Sequence, residues 1–135
     1  MSEAVLFAQL IGTDQVEFIE EPLADMSKLG EFYEKTHLPV ALDETLSMMR
    51  CGVMAPGRCT PGLDRHEAVA AYILKPTILG GSIHCLSWIN QANELGKKAI
   101  ISSTFESSIG LRILRELALC TGQVSGLGTG RWLSE

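Results

Sequence analysis

The sequence carries no basic stripe. Its 11 lysines and arginines are outnumbered by 16 acids, for a net charge of −5. That mild acidity argues against nucleic acid as the main partner. No apolar run reaches the ~20 residues that a membrane-spanning helix needs. The opening Met1-Ser2-Glu3-Ala4 lacks the basic start of a secretory signal. The four cysteines, Cys51, Cys59, Cys85 and Cys120, never fall at Cys-x-x-Cys spacing, so neither zinc nor a redox pair is suggested. They read as reduced thiols packed as small hydrophobes in a cytosolic protein. Gly80-Gly81 lacks the surroundings of a dinucleotide fingerprint. His37, His66 and His84 show no ligand spacing and read as surface or structural residues. No internal repeat and no low-complexity segment stands out.

What is present is a chain of 135 residues, enough for one domain with a core. The stretch Ala71-Tyr72-Ile73-Leu74-Lys75-Pro76 reads as a buried strand that ends in a lysine and is stopped by proline. Before it, Ser2 to Ile11 reads as a helix, Val16 to Ile19 as a short strand and Asp25 to Lys35 as a helix with Met26, Leu29, Phe32 and Tyr33 inward. Val40 to Leu42 reads as a strand and Glu44 to Arg50 as a helix. Residues 52–65, rich in Gly and Pro, read as a long surface loop, and Glu67 to Ala70 as the end of a helix. Beyond the lysine strand, Ser82 to Leu95 reads as a helix carrying Ile83, Leu86, Ile89 and Ala92, with Gly96 closing it. Lys98 to Ser103 is the next strand, and Ser107 to Cys120 a strong apolar helix. A last short strand fits near Val124 to Leu133. Short buried strands alternating with helices predict an α/β fold with parallel pairing and four or five β/α units.

In parallel α/β folds functional groups collect at the C-terminal ends of strands. Glu20, Asp43, Lys75 and Ser102-Ser103 all take that position on successive predicted strands. Two carboxylates with open positions beside them suit Mg²⁺, which keeps waters or takes substrate oxygens. A magnesium ion beside a lysine suits proton abstraction next to a carboxylate: the metal stabilises the enediolate, and the lysine handles the proton or faces the developing charge. Each member also has a plain reading. Glu20-Glu21-Pro22 can be a solvated turn, Asp43 an N-cap for the following helix, Lys75 a snorkelling strand end, and the serines a cap.

Four segments then resemble a known family: Val16 to Leu23 with its Glu20-Glu21-Pro22, Pro39 to Thr45, Leu74-Lys75-Pro76-Thr77, and Ile101 to Leu111 with Ser102-Ser103-Thr104-Phe105-Glu106-Ser107-Ser108-Ile109-Gly110. Together with Gly126-Leu127-Gly128-Thr129 and Trp132-Leu133 they look like the C-terminal barrel half of the enolase superfamily, and more narrowly its o-succinylbenzoate synthase family. The resemblance implies a partial TIM (β/α) barrel over 1–135, without the capping domain and the first strands. It implies Glu20 and Asp43 as the second and third magnesium ligands and Lys75 as the catalytic lysine on the substrate face opposite a second lysine. It implies Ser102, Ser103 and the backbone at Gly126 as holders of a succinyl carboxylate; Glu106 receives no role. The implied reaction is Mg²⁺-dependent loss of water from a cyclohexadiene carboxylate to give 2-succinylbenzoate in quinone biosynthesis, in the cytoplasm or the plastid stroma. The alternatives are an N-acylamino acid racemase or dipeptide epimerase on the same scaffold, or a non-catalytic half-barrel.

The Lys-x-Lys strand and the strand bearing the first Asp ligand of that family have no counterpart here. Half a barrel leaves sheet edges and apolar layers open. The expectation is association, with a separate N-terminal half or with itself, around a small carboxylate substrate.

Overall fold

The computed structural model describes residues 1–50, 62–121 and 125–127. Of the predicted 52–65 loop, residues 52–61 lie outside the described residues, as do Gly128, Thr129, Trp132 and Leu133 near the end. The chain divides into two compact units, Met1–Ala71 and Tyr72–Glu135. The division falls inside a strand.

The first unit opens with helix α1 (Ser2–Ile11). Gly12 ends it at φ 79°, and a Cβ there would fall 2.8 Å from the Asp14 carboxylate. Strand β1 is only Ile19–Glu20, shorter than the predicted Val16–Ile19 and shifted toward its end. The reason lies in its partner. The Ile19 N–H donates to the Pro39 carbonyl at 2.9 Å, but proline has no N–H to return to the residues before Ile19, so the ladder stops there.

Asp25 caps a 3₁₀ turn (Met26–Lys28) by accepting from the Ser27 N–H and hydroxyl at 3.1 and 2.6 Å. Those same bonds hold the Asp25 carboxyl below its usual range. Helix α2 (Leu29–Thr36) follows and buries Leu29, Phe32 and Thr36 on one stripe. His37 closes it in the left-handed region. Strand β2 (Val40–Leu42) is buried throughout, the pattern of a parallel strand covered on both faces. Helix α3 (Glu44–Arg50) comes next, and a 3₁₀ turn (Leu63–Arg65) precedes strand β3 (Val69–Leu74). The lysine strand therefore begins two residues before Ala71, where a helix end was expected. The His66 Nδ1 accepts the Ala68 N–H, and Ala68 offers its carbonyl to Val40, which fixes this stretch as extended chain.

The second unit takes the end of β3, a one-turn helix α4 (Pro76–Leu79), helix α5 (Ser82–Glu94), strand β4 (Lys98–Ile101) and helix α6 (Ser108–Thr121). Proline at the first position starts α4, and Gly80 in the left-handed region stops it. Past α5 the Lys97 N–H reaches the Ala92 carbonyl and the Gly96 N–H reaches Asn93, with Gly96 at φ 65°. That is the paired-bond helix ending predicted at Gly96. Helix α5 buries Cys85, Ile89 and Ala92, while Ile83 faces out at 77% exposure. Helix α6 buries Leu114 and Ala118, and Ile109, Ile113 and Leu119 face out. Tyr72 is fully buried and meets the Trp88 ring edge-on at 5.5 Å.

The strands form one parallel sheet in the order β1-β2-β3-β4, so strand order follows chain order. A parallel bridge between Ser102 and Gly126 adds the start of a further pairing where a last strand was expected. Among the described residues no helix is long and apolar enough to cross a membrane.

Candidate active site

In the first unit the two predicted metal ligands sit on neighbouring strand ends. Glu20 is the last residue of β1 and is exposed, and Asp43 follows β2 directly at 2% exposure. The register pairs Glu20 with Ala41. Side chains of paired residues share a face, so Ala41 lies on the face that carries Glu20, and Asp43 follows one residue past the end of β2. Asp43 also stands at the N-cap position of α3, its carbonyl accepting the Leu46 N–H at 3.0 Å.

The residue that builds this corner is one the sequence reading passed over as part of a turn. Glu21 sits at φ 41°, a region most side chains avoid. From there its carboxylate accepts the Asp43 N–H, the Thr45 N–H and the Thr45 hydroxyl, all at 2.9 Å. Glu21 thus serves as the cap of α3 from a neighbouring strand and fixes the backbone of Asp43. The sequence signal was available in principle: a second acid after Glu20, followed by a proline that limits the chain's direction. It does not say which backbone the acid would meet.

In the second unit Lys75 follows β3 directly and is half-buried. Its carbonyl accepts the Ile78 and Leu79 N–H groups, so Lys75 starts α4. The Ser102 N–H donates to the Leu74 carbonyl at 2.9 Å, placing the serine pair on the strand end beside the lysine. The Ser103 N–H donates to the Gly126 carbonyl, and the Gly126 N–H to Ile101. Lys75, Ser102, Ser103 and Gly126 are therefore brought together around the ends of β3 and β4.

Glu106 was left without a role by the sequence. It is 8% exposed, and one of its oxygens accepts the Thr104 hydroxyl at 2.6 Å, the Thr77 hydroxyl at 2.8 Å and the Thr104 N–H at 3.3 Å. The Thr104 hydroxyl first, then Thr77, hold its carboxyl below the ordinary glutamate value, against the opposing effect of burial.

Among the described residues no group of three or more His, Cys, Asp or Glu side chains could hold a metal. Glu20 and Asp43 offer two hard oxygen donors at the ends of neighbouring strands, which fits Mg²⁺ as part of a donor set completed by other groups, and does not fit a closed zinc site.

No family model matches the chain. It is 36% identical over 104 residues to the o-succinylbenzoate synthase of Haemophilus influenzae, covering 77% of this chain and 29% of that protein. It is 33% identical over 151 aligned residues to the chloroplastic protein PHYLLO of Arabidopsis thaliana, covering 98% of this chain and 8% of that protein. Among solved structures it superposes on MenC from Desulfotalea psychrophila with a TM-score of 0.76 and 25% identity, over 99% of this chain and 37% of that one. An enolase from Pseudomonas fluorescens with bound magnesium, potassium and tartrate shares the fold at a TM-score of 0.71 and 16% identity, over 99% of this chain and 30% of that one. The chain thus spans about a third or less of the relatives it matches. It belongs to the enolase superfamily and, by its likeness to o-succinylbenzoate synthases, corresponds to the C-terminal half of the barrel.

Proposed function

We propose that this chain is the C-terminal part of an o-succinylbenzoate synthase, contributing two metal ligands, a lysine and an anion-binding rim to a site that the rest of the barrel completes. The single observation that carries this reading is positional. Within each unit, every residue given a role stands at the C-terminal end of its strand: Glu20 and Asp43 in one, Lys75 and Ser102-Ser103 in the other. Relatives of the chain bear the synthase name at 34–36% identity, and another at 33% is a chloroplastic protein, which supports a place in quinone biosynthesis in the cytoplasm or plastid stroma.

The reaction is the dehydration of 2-succinyl-6-hydroxy-2,4-cyclohexadiene-1-carboxylate. The C–H bond next to the carboxylate breaks: its electron pair enters an enediolate, and its proton passes to the second lysine, which the rest of the barrel would supply. The ring hydroxyl then leaves with a proton as water, and the ring becomes the aromatic 2-succinylbenzoate. Magnesium, held by Glu20 and Asp43, would supply positive charge at the substrate carboxylate. Asp43 is fixed for that task through its own N–H by Glu21. Lys75, half-buried at the start of α4, presents an ammonium to the negative charge that develops as the proton leaves. The hydroxyls of Ser102 and Ser103, with the backbone at Gly126, receive the succinyl carboxylate.

The test is synthase turnover with the chain joined to, or co-expressed with, the polypeptide that completes its barrel. Magnesium-dependent formation of 2-succinylbenzoate is expected, and Glu20→Gln or Asp43→Asn abolishes it. Turnover that is indifferent to both substitutions overturns the assignment of the ligands.

A further inference from the structure

We infer that Glu106 is a positioning residue of this site, tying the strand end that carries Lys75 to the strand end that carries Ser102 and Ser103. The inference rests on the function proposed above for those residues, and deepens it.

The backbone pairing between these two strand ends runs out early. The Ser102 N–H reaches the Leu74 carbonyl. Beyond that point Lys75 turns into α4 and Ser103 turns toward Gly126. What joins the two rims past the ladder is a side-chain knot. Thr77 stands two residues after Lys75 in the single turn of α4, and Thr104 directly follows Ser103. Their hydroxyls lie 3.1 Å apart, and both bond one oxygen of Glu106. Since the Lys75 carbonyl accepts from Ile78 and Leu79, the lysine backbone and Thr77 belong to one rigid turn. Holding Thr77 therefore holds Lys75. Hydroxyl donors on an ionised carboxylate make short, strong bonds, and a nearly buried group loses little of that strength to water.

Two simpler jobs for Glu106 are already taken or absent. It does not cap α6, because Ser107 does: the Ser107 hydroxyl accepts the Gly110 N–H and its carbonyl accepts Leu111. Nor is it a chance surface acid, since α6 gives it room at a definite place. A Cβ on Gly110 would come within 3.2 Å of the Glu106 Cβ and 3.4 Å of its second oxygen. The helix backbone therefore packs closely against the Glu106 side chain at Gly110.

The test has two arms. In the completed barrel, Thr77→Val, Glu106→Gln and their combination are assayed with the cyclohexadiene carboxylate. A displaced lysine should lower kcat about tenfold with little change in KM. The double variant should be no worse than the poorer single one, and Thr77→Ser, which keeps the hydroxyl, should restore the rate. A role in stability alone would lower the melting temperature and leave kcat unchanged, which overturns the inference. In the second arm, the ¹³Cε resonance of Lys75, assigned through Lys75→Arg, is titrated in this 135-residue chain. Its chemical shift or titration midpoint should move in both variants, and a resonance unmoved in both overturns the inference. A barrel that shows no synthase turnover while the Lys75 resonance still responds to Thr77→Val refutes the proposed function and leaves the clamp standing. Should Glu106→Gln fail to fold, Thr77→Val, at an exposed position, carries both arms.

Discussion

The Glu21 carboxylate lies 2.9 Å from the backbone nitrogen of Asp43, 22 residues further along the chain. A second acid, Glu106, does the equivalent in the other unit, reaching 29 residues back to Thr77. In both cases a carboxylate beyond the end of one strand fastens the end of its neighbour. Candidate ligands and bases need fixed backbones more than they need further ligands. The two clamps supply that fixity where the sheet hydrogen bonds stop.

Removal of the first clamp should be costly. Glu21→Ala leaves two backbone N–H groups and a threonine hydroxyl without their acceptor, while the unfavourable left-handed backbone at φ 41° remains. The expected loss is about 2 kcal/mol. Glu21→Gln keeps one acceptor oxygen and should lose about half as much. Urea unfolding of the three proteins checks the order, and equal midpoints for wild type and Glu21→Ala would refute the clamp.

The second clamp makes stability depend on acid. Glu106 titrates below the ordinary glutamate value of 4.5 because the Thr104 and Thr77 hydroxyls favour its charged form. The unfolded chain therefore takes up this proton more readily than the folded one. The stabilisation is fully present above pH 4.5 and is lost as pH falls through the lower folded value. Thermal melts should show wild type losing stability over that window, and Glu106→Gln losing less. Parallel curves would contradict the assignment.

Gly110 gives an independent handle on the same knot. Alanine in a helix is better than glycine by about 1 kcal/mol. Here its Cβ would press on Glu106 from 3.2 Å. Gly110→Ala should come out near neutral in thermal stability and yet shift the Glu106 carboxyl resonance. Gly110→Val, which cannot be absorbed, should lower stability by about 2 kcal/mol. A stabilised alanine variant with an unmoved Glu106 signal would show that the contact is loose.

Much of this architecture was legible in the sequence, for identifiable reasons. Helix α1 and strand β2 fell where their apolar patterns put them, and Gly96 closed α5 because only a left-handed residue fits there. Strand β1 was misplaced because its limit is set by Pro39 on its partner, which no local pattern around Val16 reveals. The apolar pattern of α6 does not by itself select its inward face. Ile109, Ile113 and Leu119 are as apolar as Leu114, and only packing decides that Leu114 is buried while they stay out. The strand-end positions of Glu20, Asp43, Lys75 and Ser102 were readable, because each ends a short apolar run. The work of Glu21 and Glu106 was not, since each acts across 22 residues or more on groups that become neighbours only after the strands pair.

In the proposed site Lys75 faces the charge that develops on the substrate. Turnover of the cyclohexadiene carboxylate in the completed barrel, by wild type and Lys75→Met, decides this, with magnesium affinity measured alongside. Lys75→Met should lose at least about a thousandfold in kcat, with magnesium binding and melting temperature retained. Turnover within twofold of wild type would contradict it.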